Sequence, residues 1–345
     1  MGLKAFRKIQ ISNPENTIGT AEAAVEQLLG TVTTWEGGET VHRPQHDDGS
    51  LSRNRGDAII VGEEAHAVWQ GDVNSRHIIW ALAMALCGNI TPTQPDSTNE
   101  PNAYLWTFTP ALTSPGNGPS ATDGIDTFTM EYGDDEQAWE MEYCFATSIE
   151  ISGAPNEPCT FSVSVTGRQK TDTTFTAALS LQSVQYFPFN LSKFYVNDAG
   201  GNHGTTQKSD LLKGFTWRLN TQFTPQYAGD GSLYFSSVAE DEKFVELSLT
   251  YKHDDESETE RGYAEDLTIR NLRIELRGET ELDTGQSNVP YIYLDGAYQY
   301  NLPWPSLSDM EGQSTVEVAA QSCYDSSWAK EYQVAVLTDL DAYPT

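Results

Sequence analysis

Basic residues are scarce. Twenty Lys and Arg stand against fifty Asp and Glu, a formal charge of -30 over 345 residues. A surface this rich in carboxylates repels phosphate, which argues against a protein that grips or reads nucleic acid. Acidity also serves solubility and tolerance of high salt, and the sequence leaves the choice between these uses open. Cysteine is scarce too. Cys87, Cys144, Cys159 and Cys323 form no Cys-x-x-Cys pair, which argues against a disulfide scaffold and against a zinc site. Cys144 and Cys159 fall on adjacent expected strands, where buried free thiols and a cross-ladder disulfide both fit. No apolar run reaches membrane-spanning length, and the start Met1-Gly-Leu-Lys-Ala-Phe-Arg-Lys8 carries basic residues without the apolar stretch of a secretory signal. The expectation is a chain made soluble in the cytoplasm, with no membrane partner.

Catalytic signatures are equally thin. No Gly-x-Ser-x-Gly elbow occurs, and Gly201-Asn-His-Gly204 lacks the lysine of a phosphate-binding loop. His42, His46, Asp47 and Asp48 sit in a polar stretch without metal-ligand spacing, so a solvated loop is expected rather than a metal site. A glycosidase needs two carboxylates across a cleft, but acids are so abundant that none is singled out. Trp106, Trp139 and Trp217 could line a sugar-binding cleft, yet their alternating context makes them core residues first. No catalytic residue, metal or cofactor is expected. An acidic all-β carbohydrate- or surface-binding module stays open as an alternative function.

What is abundant is period-two alternation, the mark of strands with one buried face. Residues 104–169 read as a complete antiparallel unit. Tyr104-Leu-Trp-Thr-Phe-Thr-Pro110 alternates and ends at the proline. Residues 125–132 repeat the pattern up to a hairpin signal at Gly133-Asp134-Asp135. The return strand puts Trp139, Met141, Tyr143 and Phe145 on one face and Glu140, Glu142 and Cys144 on the other, and residues 148–153 and 159–167 continue the unit.

Elsewhere, residues 6–12 read as a strand, and Thr20 to Gly30 as a helix between a cap and a glycine stop, in competition with extended chain. Residues 36–57 read as a long loop, 58–61 and 65–69 as two short strands. Residues 75–87 form the clearest helix, capped by Asn74 or Ser75. Residues 174–190 look like a crossing between domains. The second half repeats the same grammar of strands and Gly/Asp turns, with 252–260 as a charged loop tip and a bulge at Arg270-Asn271.

The run Trp106-Thr-Phe-Thr-Pro110, then Thr127-Phe-Thr-Met-Glu131 with Gly133-Asp134, then Ser148-Ile-Glu-Ile-Ser-Gly153, then Val163 to Gly167-Arg168-Gln169 resembles the tail tube (major tail) proteins of long-tailed bacteriophages. Gly19-Thr20, Leu28-Leu-Gly30 and Asp48-Gly-Ser-Leu51 are similar to the start of that family. The resemblance is strong over the first half and loose over the second.

It implies a mainly β chain built from sandwich or barrel-like domains, with one or two short helices on the sheets and long loops or arms. Such domains contribute strands to an inner barrel, rings of six domains stack into a tube, and arms join ring to ring. The length suggests two tandem domains, 1–185 and 186–345, and hence three chains per ring. The partners would be further copies of the chain, other tail proteins at the tube ends, and DNA passing without specific binding, all in the virion tail. Glu140, Glu142, Glu150, Glu246 and Glu275 alternate with apolar neighbours and are candidates for the lumen. Arg43, Asp47, Asp48, Arg53 and Arg55 are candidates for an arm between rings or subunits.

Overall fold

The computed structural model describes residues 3–44, 57–86, 90–110, 125–200 and 203–344. The chain is mainly β. Its first part runs β1 (Lys8–Ser12), β2 (Ala24–Leu28), β3 (Thr31–His42), β4 (Ile59–Asp72), α1 (Ile78–Ala85), β5 (Tyr104–Phe108), β6 (Phe128–Gly133), β7 (Ala138–Gly153), β8 (Thr160–Gly167) and β9 (Lys170–Thr173). It continues through β10 (Lys193–Asp198), β11 (Leu212–Asn220), β12 (Thr224–Gln226), β13 (Ser237–Ala239), β14 (Phe244–Lys252) and α2 (Asp255–Glu265). The last strands are β15 (Arg270–Arg277), β16 (Tyr291–Tyr300), β17 (Ser308–Met310), β18 (Gln313–Ser322) and β19 (Tyr332–Thr338).

One set of antiparallel pairings occurs twice. In the first half β1 pairs β6, β6 pairs β7, and the start of β7 also pairs β9; β3 pairs β4, β4 pairs β8, and β8 pairs the rest of β7. In the second half β10 pairs β15, β15 pairs β16, and the start of β16 also pairs β19; β11 pairs β14, β14 pairs β18, and β18 pairs the end of β16. A short 3₁₀ turn precedes each set, at Lys4–Phe6 and at Phe189–Leu191, and a helix follows β4 and β14 alike. Two further pairings tie the halves together: β7 with β11, and β5 with β19. The main hydrophobic cluster draws on both halves, from Ile9 to Leu340.

Several local expectations change. The stretch 20–30 carries β2 rather than a helix. Ala24, Glu26 and Leu28 turn inward, and the strand pairs with β1. Good helix formers yield here because edge pairing and burial outweigh propensity. The Glu26 carboxylate then accepts from Arg76 Nε at 2.9 Å and lies 3.6 Å from His77 Nε2; burial raises its carboxyl, but these two neighbours together keep it below the ordinary carboxylate range. Residues 36–42 continue β3, and 59–61 and 65–69 belong to one strand, β4, so the first part of the expected loop and the two short strands form one β-ribbon, while residues 45–56 lie outside the described residues. Its glycines, Gly37, Gly38 and Gly62, weakened the strand signal without breaking it.

Helix α1 is shorter than 75–87, and every residue in it is buried. Asn74 Oδ1 accepts from the backbone N–H groups of Arg76 and His77 at 3.2 and 2.8 Å and so closes the turn ahead of the helix; α1 itself starts after His77 without a side-chain cap, and the cap expected at Asn74 or Ser75 is not made. The alternation along β7 breaks at Tyr143, where φ is +55° and the pairing with β6 slips. Met141 and Cys144 therefore face the main core, while Tyr143 and Phe145 pack into a satellite cluster with Phe223 and Phe235. Residues 252–260 are not a loop tip. Asp254 caps α2 by accepting from the N–H groups of Glu256 and Ser257, and Asp255, Glu256 and Glu258 complement the positive end of the helix. No bulge sits at Arg270-Asn271, since residues 267–269 leave α2 before β15 begins.

Cys144 and Cys159 are free and buried, not paired. Burial pushes both thiols up, Cys159 to about 12. Only the thiolate reacts readily, so neither should be labelled by a brief maleimide pulse at neutral pH in the folded protein, and both should be labelled once unfolded. Peptide mass spectrometry checks this, and fast native labelling of either would contradict the packing.

Candidate functional site

One broad surface begins with strands that alternate cleanly. Along β8, Phe161, Val163 and Val165 enter the core, so Ser162 and Ser164 take the opposite face. Along β11, Phe215, Trp217 and Leu219 point inward and Thr216, Arg218 and Asn220 outward. Strand β14 does the same with Val245, Leu247 and Leu249 against Glu246, Ser248 and Thr250. Because β7 pairs β11, these strands join into one sheet in the order β3, β4, β8, β7, β11, β14, β18, β16.

Registers align the outward residues into rows. One row crosses all eight strands: Thr31, Gln70, Ser162, Glu150, Arg218, Glu246, Gln321 and Gln299. A neighbouring row runs Asp72, Thr160, Ser152, Thr216, Ser248 and Ala319. Adjacent strands lie ~4.8 Å apart, so Arg218 stands between two carboxylates on its own face. The face is made of hydroxyls and amides with sparse charge, Arg218 against Asp72, Glu150 and Glu246 in these two rows. Its depressions, about 320 Å³ beside Gln70, Glu150 and Ser162 and about 270 Å³ beside Ser152, Thr216 and Ser248, are open to solvent.

Of the five glutamates singled out from the sequence, this face brings together Glu150 and Glu246. Glu140 and Glu142 lie on the first part of β7, before the slip at Tyr143, where Glu140 accepts from Thr171 Oγ1 at 3.2 Å and Glu142 from Gln169 Nε2 at 3.4 Å. Burial, only partly offset by Arg168, raises the Glu142 carboxyl above its ordinary value. Glu275 does leave the hydrophobic core, but it belongs to β15, which is not among these eight strands, and is only 4% exposed, accepting from Tyr195 Oη at 3.0 Å and Arg277 at 2.7 Å. Arg218, Gln70, Ser162 and Gln321 belong to the surface and were passed over in the sequence. Their signal was the polar half of each alternation, and a search for acids alone does not see it. Trp106 and Trp217 are core residues, and Trp139 lies half-buried beneath the Lys170 ammonium, 4.3 Å from its ring. Among the described residues no group of acids, histidines or cysteines is placed to hold a metal.

A family profile described as phage tail tube protein matches residues 14–306. The chain belongs to the phage tail tube protein family. No curated protein matches it. Membership makes the chain a structural component of the virion tail, implies self-assembly and contact with other tail proteins, and points to a non-enzymatic role.

Two further features of this tail tube protein concern assembly. Beyond its contact with β8, the β3–β4 ribbon runs on as two strands and exposes Val41, Ile59, Ile60 and Val61 at 41–53%. Arg43 is exposed just past its end, while Asp47, Asp48, Arg53 and Arg55 lie outside the described residues. The corresponding connection of the second half, residues 221–243, instead folds back to brace the ribbon. Glu63 N–H donates to Leu233 O at 2.9 Å, and Tyr227 Oη donates to Glu64 at 2.9 Å. The Arg168 guanidinium, stacked on Tyr143 at 4.5 Å, fastens this brace by donating to the carbonyls of Phe235 and Ser236.

Proposed function

We propose that three copies of this chain form each ring of the tail tube, that rings stack into the conduit through which DNA leaves the capsid, and that residues 1–185 and 186–345 are two versions of one tube-building unit. The observation that carries this reading is the doubled set of pairings, fused by β7–β11 into one eight-stranded sheet. Three such sheets supply twenty-four strands. At a strand spacing of ~4.8 Å and a tilt of ~40°, a closed barrel of that size is about 45–50 Å across between backbones, wide enough for duplex DNA.

The polar face then lines the lumen. Hydroxyls and amides, with Arg218 set between Glu150 and Glu246, offer no cluster of cations to hold phosphate, so DNA slides without specific binding. The bulk of the acidity sits elsewhere, for example on α2 and its cap. The β3–β4 ribbon, with its exposed apolar end, is the arm that reaches the next ring, and other tail proteins close the tube ends. Synthesis takes place in the host cytoplasm before assembly into the virion.

Electron microscopy of the purified protein at rising concentration tests the reading. Hollow stacked rings with three chains per layer are expected. Six whole chains per layer would overturn the doubled unit, and dispersed monomers at every concentration, with or without tail-tip proteins, would overturn the tube.

A further inference from the structure

Closing a ring requires an edge on each side of the chain, and the fold carries a template for how the edges meet. Within the chain, residues 148–153 of β7 pair with β11 of the second half. The turn that follows packs against the 3₁₀ turn ahead of β10: Cys159 N–H donates to Phe187 O at 2.8 Å, Phe189 N–H to Glu157 O at 3.0 Å, and Asn190 and Asn156 exchange hydrogen bonds at 3.0 and 3.1 Å. In the doubled pattern β16 stands for β7 and β3 for β11. The counterpart of residues 148–153 is the run 301–306 just after β16, and the counterpart of Phe189–Leu191 is Lys4–Phe6. Among the described residues no strand pairs with the outer edge of β3 or with the far side of residues 301–306.

Both unpaired edges look like halves of one joint. Beside β3 lies an open groove of about 580 Å³, floored by Ile9, Leu28 and Val32 and rimmed by Lys4, Arg7 and Lys8. Leu3 and Phe6, the chain neighbours of the lining residues Lys4 and Arg7, are exposed. On the other side, the segment after β16 exposes Leu302, Leu307 and Met310 and carries Asp309 and Glu311. No Lys or Arg occurs between Arg277 and Lys330, so the segment itself is acidic where the groove is basic, although Lys213 and Lys252 of neighbouring strands lie close to residues 308–310.

We propose that residues 301–310 of one copy enter this groove on the next copy and add antiparallel to the open edge of β3, repeating between chains the β7–β11 joint found within each. The proposal rests on the ring reading above and names the surfaces that close it. The contact is heterologous, head to tail, which builds a ring where the rotation closes and excludes a two-fold dimer. It also covers two strand edges that would otherwise invite indiscriminate pairing.

Cysteines at the two sides test it. With Phe6→Cys and Leu307→Cys in one chain, a short bis-maleimide should link copies into two- and three-chain species, and peptide mass spectrometry should find residues 6 and 307 joined. Lys4→Glu with Arg7→Glu should raise the concentration for half-assembly at least tenfold while leaving the melting temperature of the monomer unchanged. Adding Asp309→Lys and Glu311→Lys to the same chain should restore assembly. Rings that form normally without a 6–307 link, or a closed two-chain species, would overturn the edge assignment and leave the ring reading standing. A wild-type chain that stays monomeric even with tail-tip proteins would overturn the ring reading, and this inference with it.

Discussion

Replacing Glu260 by alanine should cost about 3–5 kcal/mol of unfolding free energy, the range for breaking a buried ion pair from one side. Glu260 is 1% exposed and Arg270 5%. The carboxylate accepts from Arg270 Nε at 3.0 Å and from the terminal guanidinium nitrogen at 2.9 Å, a bidentate pair. Tyr300 Oη reaches the same carboxylate at 3.3 Å and meets Tyr251 Oη at 2.9 Å. The guanidinium also stacks 3.9 Å from the Tyr263 ring and pairs with Asp198. Removing the acid leaves a buried cation with one exposed partner. Replacing both members, Glu260→Leu with Arg270→Met, should cost less than either single truncation, because no charge is then stranded. Urea denaturation of the monomer measures all three. A loss below about 1 kcal/mol for Glu260→Ala would show that water or Asp198 takes over the pairing. Tyr300 ends β16 at the proposed ring-closing edge, so the alanine variant should also assemble poorly.

Trp217→Ala should cost about 3–5 kcal/mol, the cost of deleting a large buried aromatic side chain. Trp217 sits at the joint between the halves, opposite Ile151 on β7 and Leu247 on β14, and its indole N–H donates to Tyr298 Oη at 3.2 Å. The substitution opens a cavity where the sheet crosses from one half to the other and leaves a buried hydroxyl without its donor. Trp217→Phe keeps most of the volume and should lose about 1–2 kcal/mol. Unfolding followed by circular dichroism and by fluorescence should give one coincident transition, because a shared core and two inter-half pairings couple the halves. Two separated transitions, with Trp217→Ala shifting only the second, would show that the halves fold independently.

Legibility in the sequence followed how local each determinant was. The strands around Trp106, Phe161–Val165 and Trp217 were plain because their alternation is uninterrupted and a single buried face sets it. The polar positions of those strands form the proposed lumen face, so most of that surface was already written there, although attention to acids picked out only Glu150 and Glu246. The turn at Tyr143 was not visible. A positive φ at a tyrosine has no sequence signal, yet it moves Tyr143 and Phe145 into a different cluster from Met141. Helix α2 was read as a loop because its charges looked solvated, whereas its Asp254 cap and the burial of Glu260 against Arg270 hold it in place.

By itself the sequence determined the mainly β character, the identity of the core aromatics and the presence of a helix after β4, since each depends on residue type and spacing within a few positions. The tertiary structure alone decided that β2 is a strand, that the ribbon is continuous, and that β7 meets β11 while β5 meets β19. Those outcomes depend on partners between about twelve and more than two hundred residues away, and hydrogen-bonding edges carry no mark in the chain of which edge they will meet.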